Sequence, residues 1–89
     1  MRPFLLSALL VLAAITPALA DSEDGEIAQM REACAKAEVP QDQVDACTKL
    51  IDTRRLQGKD LARALYQRGS GYAAMGDYKT AVREFTQAL

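Results

Sequence analysis

Histidine and tryptophan are absent from this chain of 89 residues. Histidine is the side chain that most often acts as catalytic acid or base near neutral pH, and zinc sites usually recruit it. Its absence argues against an enzyme, and against a bound metal. Charge of one sign is lacking too: 11 basic residues stand against 12 acidic ones, for a net charge of −1. A chain so balanced has no electrostatic footprint for nucleic acid or for an anionic membrane. Cysteine is scarce, with two residues in all. The length sets one domain as the ceiling. Strand-type alternation is missing throughout, so a β architecture is not expected.

The one long apolar run lies at the start. Arg2 supplies a positive charge, and Phe4 to Ile15 is interrupted only by Ser7. Pro17 breaks the run, and Ala18-Leu19-Ala20 gives the small-x-small pattern a signal peptidase needs. The run is shorter than the roughly 20 apolar residues that cross a bilayer, so a membrane anchor is the weaker reading. No cysteine follows the cleavage site to carry a lipid. Residues 1–20 therefore read as a secretory signal peptide cleaved after Ala20, and the protein as periplasmic or secreted, with no stable membrane anchor. Removing them takes away one arginine and no acid, which leaves a mildly acidic remainder. So short a remainder buries a small core and is marginal without a staple.

Residues 21–25 are acidic and small, and read as a disordered leader. Four helical segments follow. The first spans about Glu26 to Glu38, where Ile27, Met30, Cys34 and Ala37 share one face. Val39-Pro40 ends it, because the residue before proline is pushed out of the helical region. The second spans about Gln41 to Arg55 with Val44, Cys47 and Ile51 as its stripe, Gly58 as its terminator and Asp60 as cap of the next helix. The third spans about Leu61 to Met75 and places Ala62, Leu65, Tyr66, Gly69, Tyr72 and Ala73 together. Gly76 closes it and Asp77 caps the fourth, whose stripe is Tyr78, Ala81, Val82, Phe85 and Leu89. Four short helices with tight turns predict an all-α fold of antiparallel hairpins set side by side. The first hairpin covers 26–57 and the second 58–89.

Cys34 and Cys47 lie on consecutive helices, nearly symmetric about the Pro40-Gln41 turn, each on its apolar stripe. An antiparallel hairpin sets them opposite each other, as a staple in an oxidising compartment requires. Closing a loop of about 15 residues contributes roughly 3 kcal/mol in the chain-entropy model. Two buried free thiols are the alternative. A metal site lacks a third ligand, and a redox pair usually has the closer C-x-x-C spacing.

The last two helices resemble the tetratricopeptide repeat, a family with a 34-residue period. Leu65 sits where the family prefers Trp. Gly69, Tyr72, the turn Gly76-Asp77-Tyr78, Ala81, Phe85 and Ala88 match its pattern. Arg68 departs from it, where Leu is usual, and the closing proline is not reached. One period upstream, Ala81 maps to Cys47, Phe85 to Ile51 and Gly69 to Ala35, whereas Tyr72 maps to Glu38, which does not fit. The first hairpin is thus a degenerate repeat at best. Its stretch Asp45 to Ile51 resembles the lead-in to such repeats in exported bacterial proteins. The resemblance implies a short α-solenoid whose first helices line a groove for peptides or partner helices. By position Arg63, Tyr66, Gln67 and Ser70 would face that groove, with Gln29, Glu32 and Lys36 as weaker counterparts; the same residues are equally compatible with ordinary exposed polar surface.

No catalytic constellation emerges. Glu32, Glu38, Asp42, Asp45, Asp52 and Glu84 read as solvated carboxylates. Ser70 between Gly69 and Gly71 imitates a nucleophile elbow, but that motif needs a strand-to-helix turn and a histidine. Close helix packing explains the glycines better. Arg54, Arg55 and Lys59 form a basic cluster too small for nucleic acid. No cofactor is expected. The apolar stripe Val82, Phe85 and Leu89 runs up to the last residue. Three explanations are open: more repeats downstream, which is the favoured one, pairing with a second copy, or a partner that supplies a covering helix. The sequence thus points to an exported scaffold that binds another protein or peptide. The alternative is a structural homo-oligomer built through the face around Phe85. Intact mass of protein recovered from the exported compartment checks the export reading: the account expects an N-terminus at Asp21 and a gain of two hydrogens on reduction.

Overall fold

The computed structural model describes residues 25–89. The predicted signal peptide, its cleavage site and residues 21–24 of the leader lie outside the described residues. Among those described the chain is all-helical, with no strand. Helix α1 occupies residues 25–36, so Gly25 is already helical rather than part of the leader. Helices α2 (Pro40–Asp52), α3 (Gly58–Ala74) and α4 (Tyr78–Ala88) follow. None of the described helices is long and apolar enough to cross a membrane.

The helix ends show what the chain uses in place of some expected signals. Val39 is extended (φ −87°, ψ 124°) ahead of Pro40, which opens α2 as its first residue. α2 then stops at Asp52, earlier than its apolar period suggests. Thr53 Oγ1 donates to the Leu50 carbonyl at 2.6 Å, and the amide of Arg54 reaches the Ile51 carbonyl at 3.0 Å. Arg54 itself takes the left-handed conformation at φ 58°. The terminator is therefore Arg54, not Gly58, which opens α3 instead with φ 57°. Asp60 is likewise not the cap of α3. Gln57 occupies that position without a side-chain bond, and Asp60 lies inside the first turn, where a negative charge suits the helix dipole. The next turn is as expected: Gly76 is left-handed (φ 86°) and Asp77 Oδ1 accepts the Thr80 amide at 3.2 Å.

The two cysteines form a disulfide, with an S–S distance of 2.03 Å and Cα atoms 4.5 Å apart. Both are fully buried, and Leu50, Leu56 and Ala64 close around them. Ile27, Met30, Ile51 and Leu61 pack on the outside of this cluster. The first hairpin is thus held by one covalent link at its centre and by aliphatic side chains around it.

α3 packs against α2 on one flank and α4 on the other. Its buried arc is therefore wider than one amphipathic stripe. Leu65 and Gly69 are buried, and so are Ala64 and Gly71. Each glycine serves one crossing. A Cβ on Gly69 would meet Phe85 Cε1 at 2.7 Å. A Cβ on Gly71 would meet Val44 Cγ2 at 2.9 Å and the Pro40 carbonyl at 3.2 Å. Separated by two residues, the glycines point to opposite flanks of one helix, which lets α2 and α4 both approach closely. Tyr66, which the apolar period placed on the buried stripe, is 58% exposed instead. The helix is rotated to serve two neighbours, and Tyr66 falls at the edge of the α4 contact, where only one side of its ring meets Phe85.

Candidate functional site

The orientation of α3 is fixed by a polar contact inside the helix stack. Arg68 donates from Nε to Glu84 Oε2 at 2.7 Å and from Nη2 to Glu84 Oε1 at 3.0 Å. Its Nη1 reaches Thr48 Oγ1 on α2 at 3.3 Å. Glu84 is buried, so its reading as a solvated carboxylate is corrected. A two-pronged guanidinium–carboxylate contact satisfies both carboxylate oxygens in one plane, which makes burial of the charge tolerable. One side chain on α3 thereby ties α4 to α2.

With that face fixed, the opposite face of α3 looks outward. Arg63 and Tyr66 are exposed there. The Tyr66 ring lies 5.3 Å from that of Phe85, centroid to centroid, tilted by 38°. Between α3 and α4 these rings, with Ala62, Ala88 and Leu89, line an open apolar groove of about 500 Å³. Lys59 and Arg63 stand on its rim, and no acid lines it. Val82 projects to solvent on α4, 62% exposed.

The other two residues expected with them are placed differently. Gln67 is half-buried, with its Oε1 3.2 Å from the Cys34 sulfur. The hydroxyl of Ser70 donates to the Tyr66 carbonyl at 3.1 Å, within its own helix. Arg63 and Gln67 also border a second concavity of about 380 Å³ between α1 and α3, floored by Leu50 and Leu56. Glu32 and Lys36 border it as well, but Gln29 does not: it lines a separate hollow against α2, with Ala33, Ala37 and Ala46.

The charges divide unevenly. Arg31 pairs with Asp60 at 3.5 Å across α1 and α3. Lys36 donates to Glu32 at 2.8 Å, and this hydrogen bond, with the attraction of the ammonium, holds the Glu32 carboxyl below its ordinary range. That pair is exposed and contributes little to stability. Among the described residues Lys59 and Arg63 make no ion pair. Among the described residues no cluster of three or more metal-ligating side chains occurs. Phe85 and Tyr66 were both visible in the sequence as apolar positions. The Arg68–Glu84 contact behind them was not, although Arg68 stands where the repeat pattern wants Leu.

No protein-family model matches the chain, and no solved structure matches it significantly.

Removing one member of the Arg68–Glu84 pair strands the other in a buried site. Arg68→Met is expected to cost about 3 kcal/mol. The double variant Arg68→Met/Glu84→Met should recover most of that loss. Urea denaturation of both variants checks this; a loss in the double variant equal to that in Arg68→Met would mean that a stranded Glu84 carboxylate is not the source of the cost.

Proposed function

We propose that this protein is an exported protein-interaction module of the tetratricopeptide-repeat kind. Its two hairpins would form a short α-solenoid that holds a peptide or a partner helix. The observation that carries this reading is the groove between α3 and α4. Tyr66 and Phe85 offer an apolar floor there, and Arg63 stands free at the edge with a planar set of donors. An open apolar surface with a few polar groups on its rim is the composition of a protein-docking site.

Two further features support the assignment. The spacing of Gly69, Tyr72, Gly76, Ala81 and Phe85 agrees with the repeat pattern, and Gly69 meets Phe85 at a close helix crossing. The apolar run and small-residue site of residues 1–20 agree with export, as does a fully buried disulfide, which persists in oxidising compartments. A second reading, self-assembly through α4, draws on the exposure of Tyr78 (68%) and Val82 (62%).

Arg63→Ala and Tyr66→Ala test the first reading, because both side chains are exposed and their loss leaves the core intact. Each is expected to weaken a partner recovered from the exported compartment by about 1–2 kcal/mol in a calorimetric titration, with the helical circular dichroism unchanged. Unaltered affinity in both variants would contradict the groove assignment.

A further inference from the structure

The acids of the second hairpin are all engaged. Asp60 pairs with Arg31 of α1, Asp77 caps α4 through the Thr80 amide, and Glu84 is buried against Arg68. Its exposed cations are not engaged: among the described residues Lys59, Arg63, Lys79 and Arg83 make no ion pair. Two of the four, Lys59 and Arg63, sit on the rim of the α3/α4 groove, whose lining holds no acid. The groove is apolar inside and cationic at its edge.

The first hairpin shows what covers the corresponding ridge. On α2, Val44 lies against Gly71 of α3, and Thr48 accepts from Arg68 of α3. One 34-residue period later these positions are Tyr78 and Val82, which are 68% and 62% exposed. Ile51 maps in the same way to Phe85, in the floor of the groove. Among the described residues no helix covers on α4 the ridge that α2 presents to α3.

We infer that the α3/α4 face docks an amphipathic helix of a partner protein, with an apolar ridge flanked by Asp and Glu. The inference rests on the interaction-module reading and adds the chemistry of the partner. The apolar ridge of the incoming helix covers Tyr66, Val82 and Phe85. Its carboxylates meet Lys59 and Arg63, and the Arg63 guanidinium is suited to a two-pronged contact. A basic helix of the same apolar pattern is rejected, because it sets like charges against the rim.

The test is an NMR titration of the full chain, read at the ring protons of Tyr66 and Phe85. Two synthetic helical peptides of about 20 residues share one Leu/Ala ridge, flanked by Glu in one and by Lys in the other. The Glu peptide should shift both rings. Lys59→Glu/Arg63→Glu should weaken it by about tenfold or more, raise the affinity of the Lys peptide, and leave the circular dichroism unchanged. Equal binding of both peptides, lost in Tyr66→Ala, would overturn the charge preference while leaving the interaction module standing. Unshifted rings with both peptides would overturn the docking inference. So would self-association in sedimentation that the double charge reversal disperses, because a second copy would then be the occupant.

Discussion

The disulfide between Cys34 and Cys47 is the constraint on which the other contacts rest. It lies at the centre of a core whose remaining buried apolar members are few and include no aromatic residue: Val44, Leu50, Leu56, Ala64, Leu65 and Ala81. A helix as short as α1 is marginal alone in water, and a core of this size leaves little surplus over chain entropy. Linking residues 13 positions apart removes loop entropy from the unfolded chain, by about 3 kcal/mol in the entropic account. For a domain whose whole stability is on the order of 5 kcal/mol, that is a large fraction. The same link sets Gln67 and Ala64 of α3 against the first hairpin, so the placement of the second hairpin follows from it.

From that anchor the geometry of the candidate site can be followed outward. Gly71 admits α2 and Gly69 admits α4, and α3 becomes the middle layer. Arg68 then spans both neighbours with one guanidinium. Such a buried ionic contact adds little net stability over an apolar one, but it penalises any rotation of α3 that would separate its partners. With α3 held in one orientation, Arg63 and Tyr66 are left exposed, Tyr66 with its ring beside Phe85. The candidate binding surface is the side of α3 left over when its two packing obligations are met.

The fold was legible where a residue's role is set by its own helix. Apolar spacing located all four helices, Gly76 and Asp77 marked the last turn, and the near-symmetric cysteines marked the hairpin pair. It was not legible where the role depends on another element. Arg54 ends α2 in a conformation usually left to glycine, because Thr53 and Arg54 satisfy the last carbonyls locally. Glu84 looks like a surface carboxylate until Arg68, 16 residues earlier, is placed across from it. Tyr66 fits an apolar stripe by period, yet two flanking helices shift the buried arc away from it. Of the site, Arg63, Tyr66, Phe85 and Leu89 do meet at one groove. Gln67 is drawn to the disulfide, Ser70 bonds its own helix, and Gln29 faces α2.

Amide hydrogen exchange of the chain refolded with and without reductant tests the dependence on Cys34–Cys47 most directly. The account predicts that the reduced chain loses slow exchange in α1 and α2 and that α3 and α4 lose protection with them, since Ala64 and Gly71 pack on that hairpin. Protection in α3 and α4 that survives reduction unchanged would show that the second hairpin stands by itself, and would contradict the account.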